Sequence, residues 1–135
     1  MAIDYSTSKF HKPEPRKRVK AREKRREKAV KVDVRVQVMT RDHDRCRLSW
    51  DAEPQALFGP CRGDLQWAHW GPYRRSRTRG QEPERRHCRQ GGLALCDGHH
   101  DLYDDEQLKI DALTPDECNG RLRFEKDGRV WEETE

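Results

Sequence analysis

Between residues 30 and 38 every second position is valine: Val30, Val32, Val34, Val36 and Val38 alternate with Lys31, Asp33, Arg35 and Gln37. Strict alternation of β-branched and polar residues predicts a strand. The same run places Val30, Val34 and Val38 at i, i+4 spacing. It also continues residues 16–29, which are rich in helix formers and carry Glu23 and Glu27 among the bases at ion-pair spacing. The pattern leaves strand and helix both open. Further on, residues 65–70 predict a short strand, and Gly91-Gly92 leads into a second, 93–95. A helix can start at His99 or His100 and run to about Gln107. Leu108, Ile110 and Ala112 alternate, and residues 121–131 predict a hairpin about Asp127-Gly128, the strongest turn signal in the chain.

Breakers divide these elements. Residues 1–15 have no periodicity and contain Pro13 and Pro15, which predicts a disordered tail. Residues 41–47 are short and charged around Cys46. Residues 51–60 predict a loop broken by Pro54, Gly59 and Pro60, residues 61–64 a turn, and residues 71–90 a long loop. No internal repeat is present.

Composition limits what such elements can do. Of 135 residues, 32% are hydrophobic and 40% charged, so one domain with tails is expected, with a core too small to hold without a staple. The five cysteines are odd in number, and no apolar run is long enough for a signal peptide or a membrane span. The expected setting is the reducing cytoplasm, where Cys and His gather around metal more often than they form bridges. The net charge of +4 is unevenly spread: residues 1–29 carry eleven Lys/Arg against four Asp/Glu, and residues 101–135 carry five against twelve. The basic end suits a polyanion and the acidic end faces away from one. Seven arginines, Arg74, Arg75, Arg77, Arg79, Arg85, Arg86 and Arg89, fall in the 71–90 segment against Glu82 and Glu84. Forked guanidinium groups suit phosphate oxygens, and nothing in this composition reads bases.

The densest chemistry lies where the second strand breaks into Cys96-x-x-His99, followed at once by His100 and, four residues on, Asp104. Soft and borderline metal ligands at this spacing rarely gather by accident. His100 and Asp104 share one side of a helix. Ala68-His69-Trp70 stands on the upstream strand, where His69 either has a function or simply packs between Trp67 and Trp70. Cys46 and Cys61 complete a second group with Cys96 and His99, a set of four N/S donors suited to tetrahedral zinc; ordinary buried thiols are the alternative. Cys88 and Cys118 are left over.

Strand, loop, strand, helix, with Arg41-Asp42 and Cys46 at the entry, Ala68-His69 on the first strand and Leu95-Cys96-x-x-His99-His100 at the helix start, resembles the HNH endonuclease family. The resemblance covers residues 41–104, about half the chain. It implies an α+β fold with a small ββα-metal (His-Me finger) core, preceded by a basic helix and followed by a β-hairpin. The implied organisation is a tail at 1–15, a basic helical arm at 16–40, a nuclease domain at 41–107 and an acidic, β-containing extension at 108–135. Because such domains are often entered through a helix, the resemblance tips residues 30–40 towards helix.

By the same resemblance, His69 matches the general base and His100 the catalytic-metal ligand, with Asp104 able to complete a site for Mg, Mn or Ni. The zinc staple would be Cys46, Cys61, Cys96 and His99, with a stretched first pair and His99 in place of a cysteine. Two features depart from the family. No Asn precedes the second strand, Asn119 being the single one in the chain, so His87 or Gln90 would have to orient the base; and the position before the base is Ala68. Small stand-alone members of this kind occur in phages and bacteria. The expected function is metal-assisted hydrolysis of phosphodiester bonds in double-stranded DNA, with a homodimer or two nicks needed for symmetric cutting. A catalytically inactive, zinc-stapled nucleic-acid-binding module is the alternative, and an RNA-directed version, with Trp67, Trp70 and Tyr73 stacking on bases, is the third.

Overall fold

The valine alternation resolves as helix. In the computed structural model, which describes residues 15–134, α1 runs unbroken over Arg16–Arg41. A strand would have put all five valines on one face. The helix instead buries Val34 and Val38 and leaves Val32 and Val36 about 60% and 61% exposed. Nothing in residues 16–29 breaks a helix, and one under way propagates at little cost. Side-chain pairs one turn apart, Glu27 with Lys31 at 3.6 Å and Asp33 with Gln37 at 3.0 Å, decorate its outer surface. The expected tail at 1–15 lies outside the described residues, apart from Pro15.

Residues 51–60 correct the expectation of a loop: α2 spans Ala52–Phe58. Asp51 caps it, its Oδ1 accepting from the Ala52 amide at 2.7 Å. Pro54 breaks nothing because it sits in the first turn, where no amide has a helical partner. The long 71–90 segment also contains local order, the single turns α3 (Arg75–Thr78) and α4 (Pro83–Arg86).

The first sheet pairs β1 (Leu65–His69) antiparallel with β2 (Gly92–Cys96), with Trp67 opposite Ala94 and His69 opposite Gly92. The glycine pair before β2 has a steric reason. A Cβ on Gly91 would collide with the Tyr73 ring, and one on Gly92 with the Trp67 indole nitrogen. Directly after β2 comes α5 (Asp97–Asp104), shorter at its far end than expected and begun two residues earlier. Cys96 is its N-cap, its Sγ accepting from the His99 amide at 3.4 Å, and the chain leaves the helix through Glu106 in the left-handed region (φ 61°).

The second sheet is the antiparallel array β3 (Lys109–Ala112), β4 (Leu122–Lys126) and β5 (Arg129–Glu132). Its hairpin turns at Asp127 (φ 51°) and Gly128 (φ 78°), the paired positive φ angles of a type I′ turn. Ile110, Phe124 and Trp131 form one row across the sheet, with the two aromatic rings stacked at 5.7 Å. These strands, drawn from the acidic segment, share one buried cluster with Leu48, Phe58, Ala68, Leu93, Leu95 and Tyr103. The fold is thus a mixed α+β arrangement in which both sheets close over a common core. Among the described residues no helix is long and apolar enough to cross a membrane.

Buried charges fasten α1 to this core. Arg41 donates to both Asp42 carboxylate oxygens (2.8 and 2.9 Å), to the Arg89 and Gly92 carbonyls (both 2.6 Å) and to Asn119 Oδ1 (3.0 Å). Asp42, fully buried, accepts in turn from the Ala94 amide at 2.8 Å. Arg47 donates to Glu133 and to the Cys118 and Gly120 carbonyls.

Candidate metal centre and histidine cleft

Three segments bring four metal-binding side chains together. Cys46 follows the turn that ends α1, Cys61 follows α2, and Cys96 and His99 open α5. Their ligand atoms lie within 4.8 Å of one another. His99 Nδ1 is 3.1 Å from Cys96 Sγ, 3.4 Å from Cys46 Sγ and 3.7 Å from Cys61 Sγ. On its other side His99 Nε2 lies 2.9 Å from the Gly59 carbonyl. A carbonyl only accepts, so Nε2 carries the proton and Nδ1 turns its lone pair towards the sulfurs, the arrangement found for ligating histidines. Gln55 adds a further support: its side chain accepts from the Cys61 amide at 2.9 Å and donates to Leu48 O at 2.7 Å and to Cys61 Sγ at 3.2 Å. Burial pushes the Cys46 and Cys61 thiols above their ordinary range, a cost that a bound cation reverses by stabilising thiolates. The donor set, its burial and the fixed tautomer fit a structural zinc.

On the other side of α5 lies an open cleft of about 730 Å³. His69, at the end of β1, and His100 and Asp104, on α5, all line it. His100 Nδ1 and Asp104 Oδ2 are 3.3 Å apart, one helical turn along. They offer one nitrogen and one carboxylate oxygen; among the described residues no third Cys, His, Asp or Glu joins them within metal-binding distance.

His69 does not stand alone. Its Nε2 lies 2.9 Å from His87 Nδ1, and His87 Nε2 lies 3.0 Å from Glu27 Oε1. The Trp67 ring stacks on His69 at 4.6 Å and meets His87 edge-on at 5.7 Å. Burial, with Lys31 and the two neighbouring imidazoles of His87 and His100 acting in the same direction, pushes His69 down to about 4, so it is neutral at pH 7. The His87 hydrogen bond, with Arg86 and Lys31 nearby, holds Glu27 below the usual carboxylate range. Of the two expected orienters, His87 meets His69; Gln90 instead lines a separate depression with Tyr73 and Cys88.

The expected phosphate-binding arginines divide. Arg74, Arg75 and Arg86 line the cleft, whereas Arg77, Arg79, Arg85 and Arg89 are exposed outside it. Arg74 is also drawn onto Tyr103, 4.2 Å above the ring, and Arg86 lies 3.3 Å from Glu27. Lys24, Lys28 and Lys31 of α1 complete the basic rim. Sequence reasoning put Lys24 and Lys28 in a basic segment suited to a polyanion but not at this cleft, and it missed Lys31, Glu27 and Gln55 as site residues, because each meets its site only through tertiary packing. Asn119, 28 residues beyond Gly91 in the chain, also returns to the segment before β2, through the Arg41 guanidinium that it shares with the Arg89 carbonyl. Comparison with protein-family models, curated proteins and solved structures returns no match.

Proposed function

We propose that this chain is a metal-dependent endonuclease of the HNH, ββα-metal type, acting on double-stranded DNA. The observation that carries this reading is the meeting of His69 with the His100–Asp104 pair in one cleft rimmed by Lys24, Lys28, Lys31, Arg74, Arg75 and Arg86. In this reading β1, β2 and α5 are the ββα unit, and the Cys46/Cys61/Cys96/His99 zinc ties α5 to the rest. The basic rim draws the phosphate backbone in and holds it by charge rather than by base contacts. His69, neutral and half-buried, accepts a proton from the attacking water. Phosphate anions entering the cleft raise its proton affinity from about 4 towards the working pH, since a nearby negative charge favours imidazolium. His100 and Asp104 would hold a divalent ion, which supplies charge stabilisation to the scissile phosphate and the leaving oxygen when bound. Tyr73 and Arg74, packed at the cleft wall, hold its shape.

A zinc-stapled, non-cleaving DNA-binding module is the second reading. Two observations favour it: the single pair of convergent ligands at His100–Asp104, and Ala68 where a further ligand could stand. Relaxation of supercoiled plasmid at low salt with Mg²⁺, Mn²⁺, Ni²⁺ or EDTA separates the two. The nuclease reading expects metal-dependent nicking that is lost in His69→Ala and His100→Ala while DNA binding persists. Wild-type protein that binds plasmid and leaves it intact with every metal gives the lead to the binding module.

A further inference from the structure

We infer that Glu27 and His87 are positioning residues that lock His69, which lines the cleft, in the Nε2–H tautomer and leave its Nδ1 as the proton acceptor. The inference deepens the nuclease reading and rests on it only for the use made of that nitrogen.

Hydrogen-bond polarity carries the argument. The Glu27 carboxylate is ionised and only accepts, so His87 Nε2 carries a proton and donates to it across 3.0 Å. In a neutral His87 the other nitrogen, Nδ1, is then an acceptor. His69 Nε2 lies 2.9 Å from that nitrogen and must supply the proton. A neutral imidazole has one N–H, so Nδ1 of His69 keeps its lone pair. The opposite polarity needs a doubly protonated His87, which would turn His69 into an Nδ1–H donor, useless as a base. His87 is 8% exposed, so water offers its ring little alternative partnership, and the Trp67 indole holds both imidazole rings in register.

The three residues come from three separate segments: α1, the stretch between α4 and β2, and the end of β1. Other charged groups bear on the relay. From α1, Lys31 lies 3.6 Å from Glu27, and from α4, Arg86 lies 3.3 Å from it. From α5, the His100 imidazole also bears on His69. The relay does what a single side-chain amide before β2 would otherwise have to do, and it ties the position of the basic helix to the state of the base.

Long-range ¹H–¹⁵N correlation spectra of the zinc-loaded full chain, ¹⁵N-labelled at histidine, read the tautomers directly near pH 7 and without any need for cleavage. Both His69 and His87 are expected in the Nε2–H form. Glu27→Ala is expected to scramble the two rings into mixed tautomers, and Glu27→Gln, which keeps an acceptor oxygen, to restore them. His69 in the Nδ1–H form in the wild type, or His69 signals unmoved by Glu27→Ala, would overturn the inference. Should Glu27→Ala fail to fold, the wild-type tautomer and Glu27→Gln still decide it. In the plasmid assay, Glu27→Ala is expected to lower kcat about 10- to 100-fold, part of the ~10²–10⁴ that a positioned base contributes, with KM within about twofold. A wild type that shows these tautomers but never nicks DNA supports the relay and removes only the nuclease reading.

Discussion

Arg47 is 2% exposed, and its guanidinium serves two carboxylates and two carbonyls: Glu133, Asp42 at 3.7 Å, Cys118 O and Gly120 O. Glu133 also accepts from the Leu122 amide at 2.8 Å, so the cluster ties the turn after α1 to the last strands. Removing the cation leaves the buried Glu133 without a counter-charge, and breaking a buried pair typically costs about 3–5 kcal/mol. Arg47→Met is therefore expected to lose stability on that scale in urea denaturation at neutral pH. Burial already raises Glu133 above its ordinary value, and the Arg47 hydrogen bonds oppose that rise. A carboxyl whose folded pKa lies above its unfolded one favours the folded state when protonated. The deficit of Arg47→Met should therefore shrink as pH falls through the folded pKa of Glu133, and a deficit constant between neutral and acid pH would contradict this account. Gly92 supplies a second test at this scale. In Gly92→Ala the new methyl displaces the Trp67 indole, and with it the surface against which His69 and His87 pack. On the nuclease reading, nicking should fall far more than DNA affinity; equal reductions would mean that the indole does not position the histidines.

At the scale of elements, α1 joins two functions that its sequence shows only separately. Its apolar side anchors it through Val34 and Val38, and its Lys24, Lys28 and Lys31, spaced by four and three residues, rim the cleft. If these lysines hold phosphates, replacing all three by Gln should flatten the log–log salt dependence of DNA binding by about 0.9 for each phosphate no longer neutralised. An unchanged slope in filter-binding titrations would mean that DNA enters over the outlying arginines instead. The alternating valines show why this element could not be read locally: period 2 fits all five, while i, i+4 spacing fits Val30, Val34 and Val38. The unbroken run of helix formers before them, together with burial at Val34 and Val38, decided for helix. The β4–β5 hairpin was legible for the opposite reason, because Asp127-Gly128 meets the φ demands of its own turn. At α2 the local breaker signal misled, since a proline in a first turn breaks nothing.

At the scale of the whole molecule, the two sheets share one modest core, and the Cys46/Cys61/Cys96/His99 centre joins the segments that lead into it. With 32% of residues hydrophobic, burial alone leaves little margin, whereas zinc binding in small domains contributes about 10–16 kcal/mol in apparent terms at pH 7. Chelation under reducing conditions, or Cys96→Ser, is expected to abolish cooperative thermal unfolding and expose the tryptophans, with recovery on adding Zn²⁺ to the chelated wild type. A sharp melt unchanged by complete metal removal would show that the four side chains are merely buried neighbours.

The sequence by itself determined what is set by neighbours along the chain: the hairpin turn, the two short strands, a helix after the second strand and the His100–Asp104 pair one turn apart. These follow from local φ preferences and from helical periodicity. Only the tertiary structure decided that Cys46 and Cys61 reach His99, that Glu27 meets His87 across 60 residues, that His87 rather than Gln90 meets His69, and that Asn119 returns to the segment before β2. The physical reason is common to all four. Such meetings depend on how helices and sheets pack over a shared core, and packing brings together residues whose separation along the chain carries no periodic signal.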